Sequence, residues 1–166
     1  MNLAITITKK GGYFDGKPIE VFQASLDAAI SEATMFLERK VKELAPKGVG
    51  GAVNGLAATI HGEVPGKGTP AIKGIIAHQS VYGDVIEKGR TAGKSMPPEG
   101  SLIRWIELKM GLPEPLAKKI EFVVRRKIGQ KGFPGAHMFE TALEQGMPRL
   151  QGIFDRCGFE IARKLS

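Results

Sequence analysis

The sequence predicts an α+β fold, in which a small, mainly antiparallel sheet is flanked by one long N-terminal helix and a C-terminal helical group. Three observations lead to this class. Apolar residues at helical spacing cover residues 18–45, two segments with the character of strands lie between residues 56 and 81, and helical spacing returns after residue 101. The 166 residues contain no repeat, linker or low-complexity tract, so we predict one domain over residues 1–166.

The N-terminal part contains a strand and then the long helix. Alternation of apolar and polar residues over Leu3–Ile7 predicts a strand with one buried face, which ends at Gly11-Gly12. From about Pro18 to Ala45 apolar residues recur every three or four positions, the pattern of an amphipathic helix, and Pro46 ends it. Residues 47–55 hold four glycines and are predicted to form a turn.

The central part is predicted to be a hairpin followed by a loop. Residues Leu56–Val64 and Ala71–Val81 have the composition of two strands, and the Gly- and Pro-rich residues 65–70 form a long tip between them. A third short stretch, Tyr82–Lys88, leads to residues 90–100, which lack periodicity and carry two prolines and two glycines. We predict a mobile surface loop there.

The C-terminal part is predicted to be helical. Ser101 is suited to cap the start of a short helix, and Gly111 is placed to close it. A second helix is predicted between Pro115 and Gly129, and a third over His137–Leu165, with a bend or break at residues 146–148, where a glycine and a proline occur.

Composition restricts the classes of function. The chain has 24 Lys and Arg against 17 Asp and Glu, a net charge of +7 that favours contact with nucleic acid or with acidic partners. The densest basic cluster, residues 125–127, has the pattern of a solvated helix face. The single cysteine, Cys157, has no partner for a disulfide within the chain, which indicates a reducing compartment. Its side chain is predicted to serve as a small apolar residue on a helix face. No apolar run is long enough to predict a membrane span.

Motifs for catalysis and cofactor binding do not fit the sequence. Residues Gly89–Ser95 resemble a phosphate-binding loop, but only three residues separate the glycines and two prolines follow where the helix should begin. The glycines of residues 48–51 lack the third glycine of a dinucleotide fingerprint. The three histidines, His61, His78 and His137, stand apart, without metal-ligand spacing. We therefore predict a protein that is not an enzyme, with no cofactor and no metal.

The order of several short motifs resembles the tail-component family of long-tailed bacteriophages, whose members are also described as neck, tail-completion or head-tail joining proteins. In chain order the motifs are Lys40–Pro46, Ala58-Thr59-Ile60, Val81–Arg90, Pro97-Pro98, Leu102–Ile106, Ala117–Ile128, Gly132–Gly135 and Met138–Leu143. Together they cover about residues 30–145. The family turn after Ala-Pro usually carries Asp-Thr-Gly, whereas this chain has Lys47–Gly51.

The resemblance implies a structural virion protein, a connector or a tail-completion (tail-terminator) subunit of a homo-oligomeric ring at the head-tail joint. The ring is expected to be hexameric, to contact other neck, head-connector and tail-tube proteins, and to let DNA pass through its lumen without sequence readout. The chain would be made in the bacterial host cytoplasm and would then cap the tail, close the head or join the two. The alternative is a basic, sequence-independent DNA-binding module that acts during phage assembly or packaging.

The residues predicted to meet neighbouring subunits lie in the strand-to-loop segment. They are Tyr82, Glu87, Gly89, Arg90, Pro97 and Pro98. A loop so rich in Gly and Pro is expected to gain order from a partner, with Trp105 packed in the core beneath it. Trp105→Ala is then expected to cost roughly 3 to 5 kcal/mol of stability. Alanine at Glu87 or Arg90 is expected to change stability by no more than about 0.5 kcal/mol and to impair assembly.

Overall fold

The structure, a computed structural model, describes residues 18–47 and 55–165. The predicted strand at residues 3–7 and the glycine-rich turn at residues 48–54 lie outside this part of the chain. The described residues form two compact units. The first unit comprises residues 18–38, 62–76 and 145–165, and the second comprises residues 39–47, 55–61 and 77–144. The single domain predicted over residues 1–166 stays a prediction.

The secondary structure confirms the predicted α+β class, with a long N-terminal helix, a few short strands and a C-terminal helical group. The helices are α1 (Pro18–Leu44), α2 (Gly83–Lys88), α3 (Ile103–Met110), α4 (Glu114–Lys131) and α5 (Met138–Leu165). The strands are β1 (Ile60–Glu63), β2 (Ile75–His78), β3 (Gly89–Arg90) and β4 (Phe133–Pro134). They form two sheets of two strands each, β1 with β2 and β3 with β4.

The predicted hairpin is present, but its strands are shorter than expected. The amide of Gln79 donates to the carbonyl of Thr59 at 3.0 Å, and the amide of Lys73 donates to that of Pro65 at 3.2 Å, so β1 and β2 run antiparallel. The first residues assigned to the strand, Leu56–Thr59, instead form a 3-10 helix. The Thr59 hydroxyl donates to the Leu56 carbonyl at 2.8 Å, a local bond that competes with strand pairing.

The core of the first unit lies between α1 and α5. Ala29 and Ala33 on α1 pack with Leu150, Ile153 and Cys157 on α5. The two alanines are buried in this contact, and burial also raises the pKa of the Cys157 thiol. On the outer side of this contact two arginines of α5, Arg149 and Arg156, donate to the Glu32 carboxylate at 3.3 and 2.8 Å.

Helix α5 does not break at residues 146–148. Pro148 lies inside a continuous helix from Met138 to Leu165. The residues after the proline, Leu150 and Ile153, are buried in the core of the first unit. Packing against α1 therefore holds the helix together where the proline removes a backbone hydrogen bond. Among the described helices, none combines the length and the apolar content that crossing a lipid bilayer requires.

In the second unit α3 packs against α4. Ile106 on α3 and Ala117 on α4 are completely buried. Gly111 ends α3 in the left-handed conformation, as predicted, with φ 65° and ψ 28°. Helix α4 continues past Gly129, where the sequence predicted its end, and stops only at Gly132.

Candidate subunit interface

All six predicted interface residues lie in the second unit. The stretch 82–88 was expected to continue from a strand, but its residues 83–88 form helix α2, and Tyr82 occupies the N-cap position. The expected extended conformation was wrong, and residues far away in the sequence bind the last carbonyls of this helix. The carbonyl of Ile86 accepts from the Ala136 amide at 2.8 Å, and the carbonyl of Glu87 accepts from the His137 amide at 3.1 Å.

Glu87 is a structural cap rather than a surface residue. Its carboxylate accepts from the backbone amides of Met138 at 2.8 Å and Phe139 at 3.2 Å, the first two residues of α5. These amides have no partner within the helix, and the positive end of the helix dipole adds to the attraction of the carboxylate. Glu87 therefore joins α2 to the start of α5 across 51 residues of sequence.

We expect Glu87→Ala to lower the free energy of unfolding by about 1 to 3 kcal/mol, because two charge-assisted hydrogen bonds are lost. This replaces the value of at most about 0.5 kcal/mol expected from the sequence. Glu87→Gln keeps an acceptor oxygen without the charge, so its loss should be intermediate. The neighbouring exposed residue gives the control, Lys88→Ala, which should stay within about 0.5 kcal/mol. Urea denaturation followed by circular dichroism measures all three, and equal stability of Glu87→Ala and Lys88→Ala would contradict the capping role.

Directly after α2, strand β3 pairs closely with strand β4. The strands pair antiparallel, with Gly89 opposite Pro134 and Arg90 opposite Phe133. Gly89 has φ 73° and ψ −169°, a combination that only glycine adopts readily. A Cβ on Gly89 would also lie 2.6 Å from the Phe133 carbonyl oxygen. Gly89 therefore allows the close pairing of β3 with β4. Without a side chain, it can contribute only backbone groups to a partner surface.

The loop after β3 has no regular secondary structure, as predicted, but α4 holds it at several points. Both oxygens of the buried Glu121 carboxylate accept backbone amides, from Gly100 at 3.1 Å and Leu102 at 3.0 Å. Arg125 donates from Nε to the Pro97 carbonyl at 2.7 Å. The Gly93 amide donates to the Gly129 carbonyl at 2.9 Å. The loop was expected to gain its order from a neighbouring subunit, but α4 of the same chain supplies much of it.

These bonds also revise the predicted N-cap. The Ser101 hydroxyl donates to the Pro98 carbonyl at 2.6 Å and forms no side-chain cap at α3, whose N-cap position is Leu102. The amide of Leu102 is bound by Glu121 instead. Pro97 is half-buried and Pro98 is exposed, and their carbonyls already accept hydrogen bonds, that of Pro97 from Arg125 on α4 and that of Pro98 from Ser101.

Arg90 and Arg125 place two guanidinium groups beside this loop. Arg90 is half-buried, donates from Nη2 to the Ser95 carbonyl, and has a buried Nε without a hydrogen-bond partner in the described structure. Among the described residues, neither arginine forms an ion pair with a carboxylate. The loop therefore presents positive charge that is not balanced within the second unit.

Exposed apolar side chains lie at the start of the same segment. Val81 is fully exposed, Tyr82 is 51% exposed and Val85 is 36% exposed. The Tyr82 carbonyl accepts from the Ile86 amide at 3.0 Å, so Tyr82 and Val85 stand one helical turn apart on the same side of α2. We call Val81, Tyr82 and Val85 the α2 patch. Of these, sequence reasoning found only Tyr82, because Tyr82 and Val85, three residues apart, share a face in a helix but not in a strand.

Trp105 does not lie in the core. Its side chain is 40% exposed on α3, whereas the next residue, Ile106, is completely buried. Because consecutive residues of a helix point about 100° apart, only one of the two can face α4. The expectation that Trp105 packs in the core was wrong, and Ile106 is the residue of this pair that is buried.

The described residues contain no group of three or more His, Cys, Asp or Glu side chains that could hold a metal ion. His78 is paired with Asp84 at 3.4 Å, and its ring lies 6.1 Å from that of Phe139. His137 is paired with Glu140 at 3.3 Å. No protein-family model, curated protein or solved structure matches the chain. The resemblance to phage tail components and the absence of enzymatic activity stay predictions.

Proposed function

We propose that this chain is a structural subunit of a homo-oligomeric ring at the head-tail joint of a long-tailed bacteriophage. The sequence resemblance described above supports the family. The observation in the structure that supports assembly is the α2 patch, in which Val81, Tyr82 and Val85 stand exposed on a backbone fixed from several sides.

An exposed apolar patch on a fixed backbone is suited to binding another protein. Apolar side chains gain about 25 cal/mol for each Å² removed from water, so burial of the α2 patch by a neighbour is favourable. The Glu87 cap and the β3–β4 pairing hold the backbone of α2 in place before a neighbouring subunit binds. Little conformational entropy is then lost on association, which raises the affinity for a given buried area.

Unbalanced positive charge supports the alternative role, a basic module that binds DNA without reading sequence. Arg90 and Arg125 have guanidinium groups without a carboxylate partner in the described structure, and the net charge is +7. Such binding is to phosphates, so it should be indifferent to base composition and should weaken steeply as salt increases. Within a ring the same charges would face DNA in the lumen.

Val81→Glu tests the proposed interface. The substitution puts a charge on a fully exposed side chain, so stability should change by no more than about 0.5 kcal/mol while assembly falls strongly. Met35→Glu is the matched control, because Met35 is 62% exposed on α1 in the first unit. Native mass spectrometry measures the oligomer and thermal melting measures the fold. Normal assembly of Val81→Glu would remove the α2 patch from the interface.

The virion role is tested by mass spectrometry of purified particles and by complementation of a phage that lacks the gene. We expect the chain in the particles at a fixed ratio to tail proteins, and we expect tailed particles to be restored only by assembly-competent variants. If the chain is absent from particles and binds duplex DNA in a salt-dependent manner, the DNA-binding role is favoured instead.

A further inference from the structure

The outer face of α4 is both apolar and basic. Its inner face is buried at Ala117, Glu121 and Gly129, which fixes the opposite side toward solvent. On that outer side Leu116 is 45%, Phe122 54% and Val123 62% exposed. The basic residues of the same side are Lys119, Arg126 and Lys127. We call these six residues the α4 face.

No carboxylate among the described residues of the second unit pairs with the basic residues of the α4 face. Among the described residues, Lys119, Arg126 and Lys127 form no ion pair. The acidic residues of the helix are engaged elsewhere. Glu114 accepts from Lys118 at 2.6 Å, a contact that lowers the pKa of Glu114, and Glu121 is buried against loop amides. The α4 face therefore carries three positive charges among three exposed apolar side chains.

The first two turns of α5 present the opposite charge. Met138 and Ala142 are buried, which leaves Glu140, Leu143 and Glu144 exposed on the other side. No Lys or Arg occurs between residues 138 and 148. Glu144 has no ion-pair partner among the described residues, and Glu140 meets only His137. We call Glu140, Leu143 and Glu144 the α5 face.

We propose that the α4 face of one copy of this chain binds the α5 face of a second copy. The two faces are complementary in charge, and both also expose apolar side chains, three on the α4 face and Leu143 on the α5 face. The proposal rests on the proposed ring and names its side contact. Two different surfaces on each subunit give a heterologous contact, the kind that closes into a ring when the rotation between subunits allows it.

Two observations favour a second copy over DNA as the occupant of the α4 face. Phe122 and Val123 are exposed on either side of Lys119 and Arg126 on this face, and phosphate groups give exposed apolar side chains no favourable contact. The α5 face carries only negative charge and would repel DNA.

Paired charge reversals test the contact. Variant A carries Lys119→Glu and Arg126→Glu, and variant B carries Glu140→Lys and Glu144→Lys. Each alone should raise the concentration at which half of the chains assemble by at least about tenfold. Mixed in equal amounts, A and B should assemble again into rings in which the two alternate, because every contact then joins opposite charges. Native mass spectrometry identifies such mixed rings by mass.

A control variant with Lys67→Glu and Lys109→Glu undergoes the same change in net charge as variant A at exposed sites off both faces. It should assemble like the original chain, and thermal melting should show that all variants fold. Equal loss of assembly in the control would reduce the effect to net charge and overturn the proposal. Failure of the A and B mixture to assemble would also overturn it.

The outcomes separate this contact from the ring itself. If the original chain forms rings and variants A and B still form them alone, the ring stands and the α4–α5 contact is wrong. If the original chain stays monomeric even at about 1 mM, both the ring and the contact fail. If variant A loses only salt-dependent binding to duplex DNA, while variant B retains it and both assemble normally, the α4 face is a DNA surface.

Discussion

Gly132→Ala is expected to destabilise the second unit by at least about 3 kcal/mol. Gly132 ends α4 with φ 62° and ψ −163°, a region of backbone conformation that side chains of L-residues avoid. A Cβ at this position would lie 2.8 Å from the amide nitrogen of Ala92, and closer still to the carbonyl oxygen of Arg90. Both neighbours are backbone, so no side-chain movement relieves the clash. The β3–β4 pairing must therefore open.

Gly111→Ala separates the two causes of this loss. Gly111 also has positive φ, at 65°, but a Cβ there would meet nothing within 4 Å. Its cost should be that of the left-handed conformation alone, about 1 to 2 kcal/mol. Urea denaturation followed by the fluorescence of the single tryptophan measures both variants. If Gly132→Ala proves no less stable than Gly111→Ala, the close backbone contact of Gly132 with residues 90–92 is not formed in solution.

Ile106→Ala is expected to cost about 2 to 5 kcal/mol, because Ile106 is completely buried in the second unit and the substitution leaves a cavity. Trp105→Ala should cost less, roughly 1 to 2 kcal/mol, because 40% of the tryptophan remains in contact with water. This ordering reverses the importance that the sequence suggested for the two residues. Leu108, 46% exposed on the same helix, gives the control Leu108→Ala, with a loss of about 1 kcal/mol or less.

Circular dichroism is the measurement for this series, since Trp105→Ala removes the fluorescent residue. Circular dichroism at increasing urea gives the free energy of unfolding for each variant. The decisive comparison is Ile106→Ala against Trp105→Ala. A larger loss for Trp105→Ala would mean that the tryptophan is buried in solution and would restore the interpretation from sequence.

The helices were predicted from sequence because their signals are local. The spacing of apolar residues over 18–45 predicts α1 (Pro18–Leu44) to within one residue at its end, where Pro46 prevents continuation. Gly111 ends α3 as predicted, since the left-handed conformation favours glycine. The span of α5 was also predicted. Its continuity through Pro148 was not, because it depends on packing against α1.

The structural roles of the candidate interface residues were predicted less well, because these roles depend on pairs of residues far apart in the sequence. Tyr82 and Pro98 are exposed as expected, whereas Glu87 and Gly89 serve the fold. The role of Glu87 depends on amides 51 and 52 residues away, which no local pattern reveals. The same holds for the α4 face, whose apolar residues resemble core positions until the inner side of the helix is known.

By itself, the sequence determined the α+β class, the positions of the long helices and the positive charge, because each depends on composition or on short-range periodicity. Only the tertiary structure decided that residues 83–88 are helical, that Ile106 rather than Trp105 is buried, and that Glu87 and Glu121 hold backbone amides. The physical reason is that helical periodicity gives only the relative directions of the side chains. Which of these directions points to the core is decided by the element that packs against the helix. A buried carboxylate likewise gains its role from donors that folding brings to it.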